Sequence, residues 1–335
     1  MHLGDLDYPL PEGRIAQHPL PSRSQARLLL IQGHKLTDTQ VHELPSWLCR
    51  GDLLVVNDTQ VVKARLYARK PTGAKVEIFF ERALSPALAL VHLKGKNLLG
   101  AKLCLDETTT AEVVGQEERL WRLLFSEPVM ELLARLGEVP LPPYIRRPLA
   151  VEDEARYQSL FARRPGAVAA PTASLHFDES LLKSLASCGI ELARVTLHVG
   201  AGTFLPMRTS RPEEHLMHEE WFCVPQETAE AIQRAKSEGR RVVAVGTTVL
   251  RALESAALGG KLLPQEGFTR LFITPGFTFR VADALLTNFH APHSTLLLLV
   301  SAFLGSERLR AAYAQALDSG YRFLSYGDAM LAFRA

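Results

Sequence analysis

Between Ala64 and about Arg135 the sequence breaks into short β-rich runs, and that interruption limits the folds open to this chain more than any other feature. The runs are Lys75 to Glu81, Ala87 to Leu93, Ala111 to Gly115 and Leu120 to Phe125. Gly73, Pro86, Gly95, Gly100 and the segment 106–110 punctuate them. Short strands at regular spacing with turn signals between them predict a small antiparallel barrel or sandwich. Pro128 then opens a helix to Leu136, and Gly137 ends it. The flanks have a different texture. Leu28 to Ile31 and Leu53 to Asn57 are apolar strands. From Ile190 onward strands alternate with helices: strand Ile190 to Val199, helix Gln226 to Gly239, strand Arg241 to Val245, helix Val249 to Leu258, strand Thr269 to Thr274. That alternation predicts an α/β body. The expected fold is an α/β main domain with a mixed sheet, discontinuous over 1–63 and 137–335, carrying a smaller all-β, barrel-like domain inserted at 64–136. A chain of 335 residues is long enough for both.

The connecting segments carry most of the prolines and several cations. Leu6 to Arg27 reads as an extended arm on the body, with Arg23 and Arg27 as a small basic feature. VPLPPYIRR (Val139 to Arg147) is stiffened by three prolines and sets Tyr144 beside Arg146 and Arg147. Aromatic planes next to arginines suit an RNA loop, and equally an ordinary linker. Ala155 to Arg164 reads as a helix with a basic end. The formal net charge is only +2, so any nucleic-acid contact has to come from a local patch. Cys49, Cys104, Cys188 and Cys223 are scattered, which argues against a zinc site or a disulfide framework and for a reducing compartment. MHLGDLDYPLP has no apolar core of a signal peptide, and the apolar run Thr295 to Leu304 is too short to span a bilayer. The expectation is a soluble cytoplasmic protein.

Candidate chemistry concentrates in polar residues that follow apolar runs. The stretch Gly166 to Phe204 joins small residues to Thr172, His176 and His198. Small residues let a backbone approach a ligand, and histidine titrates nearest neutral pH. The strand ending at Asn57 leads into Asp58 and Thr59, as polar residues at a crevice or a plain turn would. Gly246, Thr247 and Thr248 join a buried strand to a helix, which offers either an anion site or a helix capped by Thr247 or Thr248. His215, His218, Glu219 and Glu220 lack the order of a metal motif and read as a loop over a ligand or a polar helix end. LLTNFHAP places Asn288 and His290 after an apolar run, with Ser294 positioned to cap the next helix. Near the end, Arg322, Ser325, Tyr326 and Asp328 crowd together.

These segments, taken in order, resemble the S-adenosylmethionine:tRNA ribosyltransferase-isomerase family of queuosine biosynthesis. The matching pieces are DLDYPLPEGRIAQHPL, GDLLVVNDTQVVKARL, VPLPPYIRR with EARYQ, GAVAAPTASLHF, TLHVGAGTFLPMR, HLMHEE, VAVGTTVLRALES, LFITPGFTF, LLTNFHAPHSTLLLLVSAF and YRFLSYGDAML. The pattern departs at Ala26, Lys63, Leu88, Ser174 and Arg270, with Ser174 in place of the family's glycine.

The resemblance implies that S-adenosylmethionine serves as a ribosyl donor. The acceptor is the aminomethyl group of a 7-deazaguanine at the wobble position of tRNA, and the product is epoxyqueuosine with adenine and methionine released. It implies no metal or redox cofactor and a tRNA partner; a monomer with no membrane association is expected. His176 and His198 are expected to flank the reacting ribose, with Asp58 or Asp328 placing a partner; which histidine is base and which acid stays open. Gly246, Thr247, Thr248 and Arg251 are expected to hold the methionine end. Asn57, Thr172, Asn288, His290 and Tyr326 complete the expected donor pocket. Tyr144, Arg146, Arg147 and Arg322 are the expected contacts to the anticodon arm. Two other functions compete: an S-adenosylmethionine-dependent RNA methyltransferase, disfavoured by the absence of a Gly-rich loop after a first strand, and a non-catalytic RNA-binding protein.

Overall fold

In the computed structural model, which describes residues 6–95, 98–204, 207, 212–215 and 217–334, the chain starts its main sheet with a hairpin. Strands β1 (Arg27–Gln32) and β2 (Lys35–Gln40) pair antiparallel. β3 (Leu53–Asn57) follows, buried at all five positions, and then the short β4 (Thr59–Val61). The chain now leaves the sheet for β5 (Arg65–Arg69), β6 (Lys75–Ala83), β7 (Leu88–Leu93), β8 (Lys102–Cys104), β9 (Thr110–Glu117) and β10 (Leu120–Phe125). These six close into a barrel in the order β10-β7-β6-β5-β8-β9, with every neighbouring pair antiparallel. Alternate residues such as Leu66, Ala68, Val76, Ile78, Phe80, Ala111 and Val113 fill its interior. Helix α1 (Val129–Leu136) adds Val129, Leu132 and Leu133 to the same core.

The return to the main body runs through α2 (Asp153–Arg156) and β11 (Arg164–Ala167), which pairs parallel with β4. Helix α3 (Glu179–Ser187) begins at Asp178, whose carboxylate accepts from Leu181 N at 2.9 Å. Then come β12 (Glu191–Leu197), β13 (Glu220–Val224), α4 (Gln226–Ser237), β14 (Val242–Val245), α5 (Thr247–Ala256), β15 (Gln265–Thr269), β16 (Ala284–Asn288), α6 (Thr295–Leu304), α7 (Ser306–Asp318) and β17 (Ala329–Phe333). The nine-stranded sheet has the order β15-β13-β12-β3-β14-β16-β17-β1-β2. Its centre, β12-β3-β14-β16, is parallel; β16–β17, β1–β2, β12–β13 and β13–β15 are antiparallel.

Both faces of that centre are covered, so β14 is apolar throughout and β3 and β16 are apolar up to their polar carboxyl ends, rather than at alternate positions. Leu53, Val55, Val242, Ala244 and Leu285 face one core with α4 to α7. Leu54, Val56, Val243, Val245 and Leu286 face the other, against Leu181 and Leu185 of α3 and Val41 and Leu44. Each buried Leu or Val contributes roughly 1.5–3 kcal/mol. Ser294 caps α6 as its sequence predicts, accepting from Leu297 N at 3.2 Å. Among the described residues no helix is long and apolar enough to cross a membrane.

Several sequence expectations are corrected. The helix expected over Ala155 to Arg164 is only the short α2, because Arg163 N and Arg164 N bond Asp58 O (2.8 and 3.2 Å) and draw the chain into β11, where Pro165 also forbids a helix interior. The strand expected over Thr269 to Thr274 lies earlier, at β15: Thr269 Oγ1 accepts from Leu271 N at 3.1 Å and turns the chain out of the sheet. The arm from Leu6 to Arg27 is not wholly extended, since Glu12–Arg14 and Arg23–Gln25 are single 3-10 turns. Helix α5 is capped by Gly246, not by a threonine hydroxyl, because Thr248 Oγ1 instead accepts from Asn57 Nδ2 at 3.3 Å.

Candidate active site

The register brings five polar strand ends to one edge. β12, β3, β14 and β16 are parallel, so their carboxyl ends coincide, with Val195 opposite Asn57 and Val245 opposite Leu286. β17 runs against β16 with Asn288 opposite Ala329, which sets Asp328 at the same edge. This is where ligands bind in open α/β sheets. At the end of β14 the chain must leave the strand and enter α5 within one residue. Gly246 does this at φ 99°, a conformation that favours glycine.

A cavity of about 710 Å³, counted to its open mouth, occupies this edge. Gly246, Thr247 and Thr248 form one wall, and Thr287, Asn288 and His290 another. Thr172, at the start of the 3-10 turn Thr172–His176, closes it with Tyr144, Tyr157 and Ser325. His290 Nε2 bonds Thr287 Oγ1 at 2.9 Å, its N–H is donated to Tyr313 Oη at 3.0 Å, and its carbonyl accepts from Tyr8. Burial pushes the His290 imidazole down to about 3, so it is neutral at physiological pH. Asn288 Nδ2 donates to Leu324 O at 3.0 Å, while its buried Oδ1 has no partner among the described residues. An unsatisfied buried acceptor costs about 1–3 kcal/mol, which a ligand or water at this wall would recover.

Two smaller cavities adjoin it. One, about 300 Å³, shares Ser325 and is lined by Arg23, Arg156, His176, Arg322 and Tyr326. His176 is only 4% exposed and its Nε2 has no partner. Burial, opposed by nearby Asn288 and reinforced by Arg322 and Arg23, lowers it to about 4. The other, about 510 Å³, shares Thr203 and Leu296 with the central cavity and is lined by Arg251, Glu220, His215 and His218. Arg251 is ion-paired with Glu220, both side chains being 7% exposed, and its Nε donates to Leu271 O at 3.1 Å. Among the described residues its buried Nη2 has no partner. The neighbouring loop is only partly described: 205–206, 208–211 and 216 lie outside the described residues.

The remaining expected site residues are tied into the strand ends. Asn57 uses its whole amide: Nδ2 donates to Leu197 O (2.9 Å) and Thr248 Oγ1, and Oδ1 accepts from Thr59 N and Leu197 N, both at 3.1 Å. Asp58 accepts from the Thr196 hydroxyl at 2.6 Å. Asp328 accepts from Arg27 N (3.0 Å) and Arg322 N (2.8 Å) and lies 3.7 Å from the Arg322 guanidinium. His198 Nδ1 bonds Thr59 Oγ1 at 2.8 Å, and its ring stacks on Trp221 with centroids 5.0 Å apart. Burial, and the nearby Arg164, lower His198 to about 4. Gly166 lies flat on that ring at φ 154°; a Cβ there would sit 2.8 Å from His198 Nε2. None of these three cavities is lined by Asn57, Asp58, His198 or Asp328.

The residues expected to meet an RNA divide in the same way. Tyr144 Oη bonds Ser325 Oγ at 2.6 Å, and burial pushes its phenol up to about 12. Arg146 is exposed and pairs with Glu12 at 2.9 Å. Arg147 instead forks onto the buried Asp153 at 2.6 and 2.7 Å, and Tyr326 Oη donates to the same carboxylate at 3.0 Å. Sequence reasoning did not single out Arg156 or Tyr157 as site residues, although the EARYQ segment contains both. Nor did it find Glu81, which reaches from the barrel to accept from Ala201 N at 3.1 Å beyond β12. Ser174 is fully buried and its Oγ has no partner.

Comparison with known proteins is consistent along the whole chain. A family model described as "Queuosine biosynthesis protein" matches residues 3–332. The S-adenosylmethionine:tRNA ribosyltransferase-isomerase of Nitrosomonas europaea is 52% identical over 339 residues, covering 99% of this chain and 96% of that protein. Its counterpart from Azoarcus sp. is 51% identical over 338 residues, covering 100% of this chain and 98% of that one. The crystal structure of S-adenosylmethionine tRNA ribosyltransferase from Thermotoga maritima matches with a TM-score of 0.59 at 34% identity, covering 98% of this chain and all of that one.

Proposed function

The chain belongs to the queuosine biosynthesis protein family, and from that premise we propose that it is an S-adenosylmethionine:tRNA ribosyltransferase-isomerase. It transfers and isomerises the ribosyl group of S-adenosylmethionine onto the 7-aminomethyl-7-deazaguanine at the wobble position of tRNA. Epoxyqueuosine-tRNA forms, and adenine and methionine leave. One observation carries this reading: relatives of that name match nearly the full length at 51–52% identity. The central cavity at the carboxyl edge of the sheet offers the position and the polar walls that a nucleoside donor needs.

The donor's nucleoside lies against Gly246, Thr172 and Asn288, where glycine permits close backbone approach. Its methionine carboxylate lies toward the start of α5, whose first N–H groups lack helical partners, and toward Arg251 Nη2. The helix dipole alone favours an anion there by about 0.3–1 kcal/mol. The sulfonium acidifies the adjoining ribose carbon, adenine leaves, and the acceptor ammonium must lose a proton. A neutral imidazole in the cavity that adjoins the donor pocket at Ser325 suits such a transfer, and His176 is that group. His198, Asp58 and Asp328 act as positioning residues through the strand ends they tie together. The unit 64–136, inserted into 1–63 and 137–335, is supported by the closed barrel between Arg65 and Phe125.

The proposal extends to a cytoplasmic monomer without a resident cofactor. Support for the compartment is that Cys49, Cys104 and Cys188 are free and exposed, as a reducing environment allows. The test is incubation with S-adenosylmethionine and tRNA bearing the precursor base. Free adenine and methionine are expected. S-adenosylhomocysteine would indicate a methyltransferase, and no turnover an RNA-binding protein.

A further inference from the structure

The cavity beside the donor pocket has an unusual charge composition. Three guanidinium groups, from Arg23, Arg156 and Arg322, line it, and no carboxylate does. Backbone carbonyls hold them instead. Arg23 donates to Leu175 O (3.3 Å), Ala155 O (2.9 Å) and Gln158 O (2.9 Å). Arg156 donates to Pro21 O (3.1 Å) and to Leu20 O. Arg322 donates to His18 O at 3.3 Å, with Asp328 at 3.7 Å. Carbonyl dipoles fix the geometry of Arg23 and Arg156 without neutralising them, and Arg322 is only loosely paired with Asp328, so an anion entering this cavity meets preset donors. Two buried nitrogens are also left open: Arg156 Nε, and Nε2 of His176, which is 4% exposed and lines the cavity.

We propose that this cavity is a phosphate subsite that takes the RNA backbone phosphate adjoining the wobble nucleotide while the base passes Ser325 into the donor pocket. This rests on the reading of the chain as a tRNA enzyme. Ser325 is a wall of both cavities, so a nucleotide laid across it has its base on one side and its phosphate on the other. A phosphate offers several acceptor oxygens to the forked donors of several arginines, whereas the donor's one carboxylate is matched by a single fork. The burial and Arg156-driven lowering of Arg23 and the lowering of His176 have the physical cause that such an anion would relieve.

The test uses the full-length protein and an anticodon stem-loop carrying the precursor base, made as a series with one neutral methylphosphonate at a time. Affinities for RNA and donor are measured for the wild type, Arg322→Gln, Arg156→Gln and the charge-keeping Arg322→Lys. Neutralising one phosphate next to the wobble nucleotide should weaken wild-type RNA binding roughly tenfold and should add little in Arg322→Gln, with the other positions remaining additive. The slope of log affinity against log salt should shrink by about 0.7–0.9 in the glutamine variants and hold in Arg322→Lys. Donor affinity should not change. Loss of donor affinity with RNA binding intact would assign the cavity to the donor's carboxylate and overturn the proposal, as would additivity at every phosphate. Coupling without adenine release would keep the subsite and reject the proposed activity; adenine release without coupling would do the reverse.

Discussion

Replacing Arg251 by Met separates two roles that one side chain combines. In the fold, Arg251 neutralises Glu220, and both side chains are 7% exposed. Arg251→Met leaves that carboxylate buried, with Gly200 N–H, at 2.9 Å, the one remaining donor to it among the described residues. Breaking a buried pair from one side costs about 3–5 kcal/mol. At about 2 °C per kcal/mol for a chain of this size, melting should fall by roughly 6–10 °C, short of unfolding at 25 °C. Glu220→Gln/Arg251→Met removes the stranded charge and should recover most of that loss. In the site, the unpartnered Nη2 is proposed to bind the donor's carboxylate. Losing a charged hydrogen bond of about 1.5–3 kcal/mol weakens donor binding roughly ten- to hundredfold. The assay is calorimetric melting beside donor titration on the single and double variants. Stability should return in the double variant while donor affinity stays low. Recovery of both together would leave Arg251 a structural partner only.

Stability should fall as pH drops below about 6.5, because His176 and His198, each lowered to about 4, and His290, lowered to about 3, stay neutral in the fold where the unfolded chain binds protons. Each contributes up to about 1.4 kcal/mol per pH unit until its folded pKa is reached. Urea unfolding between pH 7.5 and 5 checks this, and His290→Gln should flatten the slope by up to one proton. Gly166→Ala, whose Cβ would meet the His198 ring at 2.8 Å, should displace that ring from Trp221 and quench turnover with little change in donor affinity; a normal rate would release His198 from any positioning role. Arg147→Leu should destabilise by about 3–5 kcal/mol by stranding buried Asp153, while Arg146→Leu, exposed, should not move the melting temperature. If the two melt alike, the ion pair to Asp153 does not carry the connector.

The sequence made the architecture legible where period and punctuation agree. LLVVN and VVAV are apolar at consecutive positions, and that pattern requires cover on both faces. Ser294 announces the start of α6 by side-chain chemistry alone. Failures came where tertiary partners override local propensity. Asp58 O draws Arg163 and Arg164 out of an expected helix, and the Asn57 amide takes the hydroxyl of Thr248 that would otherwise cap α5. The site was legible as a set of strand ends, because polar residues after apolar runs mark the edge of a parallel sheet. Its division into three joined cavities was not, since Arg23, Arg156 and Arg322 meet from segments more than a hundred residues apart. Likewise no local signal pairs Arg251 with Glu220 across 31 residues.

Ribosyl transfer is tested most directly by following the donor's own atoms into RNA. Two samples of S-adenosylmethionine, one isotopically labelled in the ribose and one in the methyl group, are incubated with the protein and tRNA bearing 7-aminomethyl-7-deazaguanine. The tRNA is then digested to nucleosides for mass spectrometry. A ribosyltransferase-isomerase places the ribose label on the wobble base and leaves the methyl label in free methionine. Methyl label in the tRNA, with the ribose label retained in S-adenosylhomocysteine, would contradict it.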